Sequence, residues 1–221
     1  MTEPLAIRPA ATVVLTRQGP DGPQVLMGQR GHGAVFMPSK YVFPGGAVDA
    51  GDAAIALAAP LPQTCAQRLQ TDGTILPPTL AAAAIRELFE ETGLALGVAG
   101  QWSPPDGWQG FAARGLAPVA SGLRFIFRAI TPPGRSRRFD ARFFIADATD
   151  IAGDTDDFSA ASDELSHLHW ITLTKARSLD LPFITEVVLA EVGRMLRDGP
   201  DPAGVPFFDN SGDRPRFRRL I

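Results

Sequence analysis

The segment that most constrains this chain is Leu80–Thr92, which reads as a helix with Thr79 as its N-cap and Gly93 as its stop. Its two sides demand different surroundings. At about 100° per residue, Glu87, Glu90 and Glu91 share one arc of roughly 100°, and Ile85, Leu88 and Phe89 occupy the other side. The apolar side must bury against another layer, and Ala83 and Ala84 let that layer approach closely. Arg86 stands four residues before Glu90 and can pair with it. One guanidinium cannot neutralise three carboxylates. Like charges this close destabilise a helix unless water or a cation bridges them, and hard divalent cations favour such oxygen clusters.

The layer to receive that helix is also legible. Ala10–Thr16 and Gln24–Arg30 read as strands joined by the turn Gln18–Pro23, a hairpin. Tyr41–Phe43 is a short strand running into Pro44-Gly45-Gly46. Leu123–Ile130 and Phe143–Ala148 read as an antiparallel pair around the loop Thr131–Arg138, and Leu168–Ile171 as a further strand. Pro182–Arg197 carries an apolar stripe at helical spacing, and a short helix fits Gly110–Arg114. Between Ala53 and Leu80 an Ala-rich helical piece, AAIALAA, is followed by prolines and Cys65. Residues after about 199 read as a loop-like tail with a solvated basic end, Arg214–Arg219. Irregularly alternating strands and helices imply α/β architecture, a mixed sheet flanked by helices, in a single domain over residues 1–221.

Composition removes several function classes. The 221 residues are 45% hydrophobic and 20% charged, enough for a large core and unlike a disordered tail protein. A net charge of −3 argues against binding nucleic acid by bulk electrostatics. One cysteine excludes an internal disulfide and a multi-Cys zinc site, and no apolar run approaches a membrane span. The expectation is a soluble protein of a reducing, cytoplasmic compartment, without a membrane partner.

Arg86-Glu87-Leu88-Phe89-Glu90-Glu91-Thr92-Gly93-Leu94, with Phe43-Pro44-Gly45-Gly46 and Asp52 upstream, resembles the signature of the Nudix hydrolases. Every fixed position of the second half is matched. Asp52 stands where the family has Glu, and 33 residues separate it from Arg86 where the family has seven, so residues 53–79 form an insertion. That insertion, with Arg137–Phe144 downstream, resembles the subgroup of the mammalian peroxisomal coenzyme A diphosphatase. The resemblance implies an α/β/α sandwich with a strand–loop–helix metal site. It implies Mg²⁺- or Mn²⁺-dependent hydrolysis of a diphosphate in a nucleotide-containing small molecule, with coenzyme A or an acyl derivative favoured.

By the same resemblance, Glu90 and Glu91 match the principal metal ligands. Glu87 matches a further ligand or, in some members, the base, and Gly45 a backbone carbonyl ligand. Arg86 matches the residue that orients the acids. The base is open: Glu164 stands first, with Asp163, Asp157 and Asp156 as alternatives in the same acidic loop. Arg137, Arg138 and Arg142 are the candidates for the substrate's phosphates, since arginine binds phosphate oxygens in pairs. Residues 53–79 are expected over or beside the substrate pocket. His167 and His169 alternate like strand positions and lack a third ligand at metal spacing, and His32 lies in a Gly-rich loop where it could touch substrate or be incidental. Cys65 reads as a packed thiol, and Trp102 and Trp108 could stack on a base, with burial in the core the commoner fate. Two other functions share this fold, an isopentenyl diphosphate isomerase and a nucleotide-sensing module. No Cys/His/Glu set supports the first, and retention of all three glutamates argues against the second. Oligomeric state stays open, a homodimer among the options.

Overall fold

The computed structural model describes residues 5–212 and 214–221. The expected hairpin is present: β1 (Ile7–Gly19) and β2 (Gly22–Arg30) pair antiparallel across the turn that joins Gly19 to Gly22. β3 (Tyr41–Val42) continues the sheet on β2, and β4 (Gly45–Ala47) on β1. One edge of β1 is therefore divided, with Thr16–Gly19 on β2 and Ala10–Thr12 on β4. The other edge of β1 pairs in parallel with β8 (Arg138–Asp147), which pairs antiparallel with β7 (Arg124–Ile130). β9 (Leu165–Thr172) lies on β2. The tail differs from expectation. It supplies β10 (Val205–Asp209), parallel to β7, and β11 (Arg216–Leu220), so the sheet has nine strands among the described residues. Two of the three arginines of β11 are engaged, Arg218 with Asp72 and Asp209 and Arg219 with Asp201.

Helices cover both faces. α1 (Gln63–Gln70), α2 (Pro77–Thr92) and α3 (Gln109–Ala113) share one core with Ala11, Val13, Leu15 and Phe144. A small ribbon, β5 (Gly97–Ala99) with β6 (Leu116–Pro118), adjoins it. α4 (Leu173–Ala176) and α5 (Phe183–Asp198) close the other face over Val14, Val25 and Phe143. This is the expected α/β/α arrangement around a mixed sheet. Among the described residues no helix is long and apolar enough to cross a membrane.

α2 starts earlier than its apolar periodicity suggests. Pro77 takes the first turn, where its missing N–H costs nothing, and Leu76 rather than Thr79 is the N-cap. Gly93 ends the helix at φ +76°, a conformation that strains any side chain. Ala81 to Ala84 are fully buried, so small side chains let α2 sit tightly between the sheet and α1.

The inserted segment, residues 53–79, does not line the cleft over which β1, β8 and the start of α5 come together. The AAIALAA stretch is extended beyond Ala54: Ala58 N–H donates to the Pro118 carbonyl, and Ala120 N–H to that of Ala59. Ile55, Leu61, Cys65 and Leu69 are buried in the α2 core, and Arg128 donates to the Thr71 and Asp72 carbonyls. A strap with apolar positions on one side needs an apolar surface, and the back of β7 with α2 offers one. Leu69→Ala should therefore cost about 2–5 kcal/mol in chemical denaturation while leaving ligand binding in the cleft of the folded chain unchanged. A change in substrate preference at unaltered stability would contradict this placement.

Candidate active site

Asp52 and Arg86 are far apart in sequence and joined in space. The Arg86 guanidinium donates to both Asp52 oxygens, from Nε at 2.9 Å and Nη2 at 3.0 Å, and Asp52 is 1% exposed. Nη1 donates to Glu87 at 2.9 Å and Glu90 at 3.1 Å, and Nη2 to the Ala47 carbonyl at 3.0 Å. The Asp49 N–H donates to the second Asp52 oxygen at 2.8 Å. The inserted strap thus leaves the motif after Asp52 and returns so that its two halves close on one guanidinium. The surrounding carboxylates raise the pKa of Arg86, although burial alone would lower it.

The two glycines before the strap are required by contact. A Cβ on Gly46 would lie 2.5 Å from the Glu87 carboxyl group, and one on Gly45 2.6 Å from the Ala11 carbonyl. Removing both side chains lets β4 pass between β1 and the acidic face of α2. The Gly45 N–H then donates to Glu91 at 2.7 Å.

Burial pushes Glu91 up to about 8, partly offset by the Gly45 N–H and reinforced by Glu87. Burial pushes Glu87 up to about 7 against the pull of Arg86, with Glu90 and Glu164 adding repulsion. Glu90, the most exposed of the three, is raised for the same first reason. Among the described residues no three His, Cys, Asp or Glu side chains are arranged so that they could hold a metal ion by themselves. Their folded pKa values lie above those of the unfolded chain, so they cost stability as pH rises from about 4.5 toward 8. A divalent cation must displace their protons. Mg²⁺ affinity should therefore climb between about pH 6 and 8.5, with net proton release near pH 7 measurable by calorimetry in buffers of different ionisation enthalpy. A flat affinity over that range would mean that these acids hold no cation.

Glu87, Glu90, Gly45, Gly46 and Arg86 line one end of a cleft of about 710 Å³, and Glu164 lines it from the loop before β9. That loop is anchored where Ser162 N–H donates to the Glu90 carbonyl at 2.9 Å. The other loop acids are elsewhere. Asp156 is paired with Arg17, Asp157 accepts from the Ser159 N–H, and neither these nor Asp163 lines the cleft.

The three arginines proposed for phosphate separate. Arg137 lines the cleft. Arg138 donates instead to the Thr131 and Asn210 carbonyls. Arg142 is a correction: it is 1% exposed on the opposite face of the sheet, bonded to the Asp140 carbonyl at 2.8 Å and paired with its carboxylate at 3.0 Å. Burial, with Arg128 alongside, lowers Arg142 to about 10. Strand alternation puts Phe139, Ala141 and Phe143 on the cleft side of β8 and residues 138, 140 and 142 behind it. The same alternation reveals a residue not foreseen, Arg8, which shares the cleft face of β1 with Ala10 and Thr12. Arg30, Lys40 and Arg135 also line the cleft, and they come from loops and strand ends that periodicity does not place.

The remaining candidates lie outside this cleft. Cys65 accepts from the Phe125 N–H at 3.3 Å and is buried. Trp108 is buried in the core and stacks edge-on with Trp102. His167 and His169 sit on β9 and His32 in the β2–β3 loop, none lining the cleft.

No family model matches the chain. Solved structures do. A Nudix hydrolase from Alicyclobacillus acidocaldarius is 29% identical over 84% of this chain and 90% of its own, with a TM-score of 0.65. The Nudix domain of Shewanella oneidensis NrtR, complexed with ADP ribose, is 13% identical over 86% and 89%, with a TM-score of 0.51. A C. elegans Ap4A hydrolase is 15% identical over 86% and 98%, with a TM-score of 0.50. The last two share the fold alone. The chain shares the Nudix fold with these structures, and its similarity to the first, taken with the acids gathered on Arg86 at the cleft, supports an enzyme of the Nudix pyrophosphohydrolase type.

Proposed function

We propose that the chain is a Mg²⁺- or Mn²⁺-dependent hydrolase that cuts the diphosphate of a nucleoside diphosphate linked to another group, with coenzyme A or acyl-coenzyme A the favoured substrates. The observation that carries this reading is the cleft itself, acidic at one end and lined by Arg8, Arg135 and Arg137 elsewhere. Among the described residues those three arginines have no carboxylate partner within 4.0 Å. A diphosphate bound together with a divalent cation at the acidic end would satisfy both charges. The relatives crystallised with ADP ribose and as an Ap4A hydrolase complex handle nucleotides of that chemistry.

The donor set fits a hard cation. Glu87, Glu90, Glu91 and the Gly45 carbonyl offer only oxygen, and their charge exceeds what Arg86 returns. Mg²⁺ keeps water and phosphate among its ligands, so it does not need a closed carboxylate cage. When bound, the cation polarises the phosphoryl oxygens and makes the attacking water more acidic. The chain's residues do the rest. Arg86 holds Glu87 and Glu90 at fixed positions, and Arg137 takes phosphate oxygens. Glu164, exposed and lining the same cleft as Glu87, accepts the proton of the water on its carboxylate.

The test is a turnover screen of coenzyme A, acyl-coenzyme A, ADP-ribose, dinucleoside polyphosphates and nucleoside triphosphates with either metal, products identified by mass spectrometry. Coenzyme A should split to 3′,5′-ADP and phosphopantetheine. No turnover of any member would overturn the reading. Glu164→Gln should lower kcat by on the order of 10²-fold with the metal titration unmoved. A change below about threefold would transfer the role of base to Glu87.

A further inference from the structure

Beyond the charged groups, the cleft has a floor that the proposed chemistry does not use. Ala10 of β1 is in register with Ala141 of β8, and Ala141 with Ala129 of β7. Neighbouring strands lie about 4.8 Å apart, so three methyl groups form a level strip roughly 10 Å across. All three alanines line the cleft. Two residues along β8 in either direction, Phe139 and Phe143 stand up as walls.

The strip begins where helix cover ends. α5 closes this face of the sheet through Val188, Leu189 and Val192, but its first residue, Phe183, is 68% exposed at the cleft edge. The Phe183 ring sits edge-on to Phe208 at 6.3 Å, and Phe208 also lines the cleft. A large exposed aromatic beside an apolar recess is costly in water unless something covers both. Methyl and phenyl groups give the edge of a nucleobase nothing to hydrogen-bond, whereas they suit a hydrocarbon chain.

We propose that the strip Ala10–Ala141–Ala129, rimmed by Phe183, is a specificity subsite for an apolar chain carried by the diphosphate substrate. This rests on the hydrolase reading above and narrows it to substrates with a hydrocarbon arm, the acidic end taking the diphosphate.

Binding separates the two ideas. Calorimetry on the full chain, with Glu90→Gln in place to stop turnover, would compare acetyl-, octanoyl- and palmitoyl-coenzyme A, octyl diphosphate and ADP-ribose. Affinity should rise roughly three- to fourfold per buried methylene until the recess is full. Ala141→Leu fills the floor and should weaken the octanoyl ligand by about tenfold or more, leaving the acetyl ligand and ADP-ribose unchanged. Phe183→Ser, at an exposed position that tolerates polarity, should weaken the octanoyl ligand in the same selective way and guards against a folding defect in the first variant. Equal affinity for acetyl and octanoyl ligands would overturn the subsite. So would failure of both octanoyl-coenzyme A and octyl diphosphate to bind. If Ala141→Leu weakens ADP-ribose as much as octanoyl-coenzyme A, the floor holds a nucleobase and the inference is wrong. Chain-length preference in binding without turnover by the wild-type chain would instead overturn the hydrolase reading and leave the subsite standing.

Discussion

Arg86→Met is expected to cost about 3–5 kcal/mol of folding stability, the penalty for breaking a buried ion pair from one side. Asp52 would be left 1% exposed, keeping only the Asp49 N–H, with no cation against it. Glu87 and Glu90 would lose their shared donor at the same moment. Arg86→Lys should recover little, because an ammonium cannot reach both Asp52 oxygens, Glu87, Glu90 and the Ala47 carbonyl together. Adding Asp52→Asn to Arg86→Met should return a substantial part of the loss, since an amide is far cheaper to bury alone than a carboxylate. Urea denaturation of the two single variants and the double variant measures this coupling. A loss below about 1 kcal/mol for Arg86→Met would mean that the guanidinium serves the acids without supporting the fold.

Glu90→Gln should do the opposite, sparing the fold and removing activity. The Glu90 side chain is 40% exposed at the cleft and shares Arg86 with partners that remain, so a neutral isostere leaves packing intact. The change withdraws one charge from the oxygen set that would hold the cation. Cation catalysis contributes several kcal/mol, so kcat should fall on the order of 10³-fold, with Tm nearly unmoved and a weakened Mg²⁺ titration. Glu91→Gln is a poorer probe, because Glu91 is 2% exposed and accepts from the Gly45 N–H, which couples its chemistry to the sheet. Activity within threefold of wild type for Glu90→Gln would overturn the proposed role of Glu90 as a metal ligand.

What the amino-acid order determined by itself was local. The hairpin, α2, its Gly93 stop and the acidic arc of Glu87, Glu90 and Glu91 follow from periodicities of two and 3.6 and from backbone rules that act within a few residues. β10 was not legible this way. Five residues opening Val-Pro form a strand there because β7 offers an open parallel edge, a property of another part of the chain. AAIALAA has helical composition, yet most of it is extended because Pro118–Ala120 supply backbone partners that no helix could use.

The site divides along the same line. Which acids stand together on α2 was set by helix geometry. Which arginines reach them was decided by the sheet: Arg137 and Arg8 face the cleft while Arg142, two strand positions on from Asp140, is buried behind it. The bond between Arg86 and Asp52 spans 34 positions, and the strap between them is free to fold back because it buries Ile55, Leu61 and Leu69 against α2. Short-range order dictates which chemistry a segment can carry. Only long-range burial and strand pairing decide which segments share a cavity, because those free energies belong to contacts between parts that the sequence keeps apart.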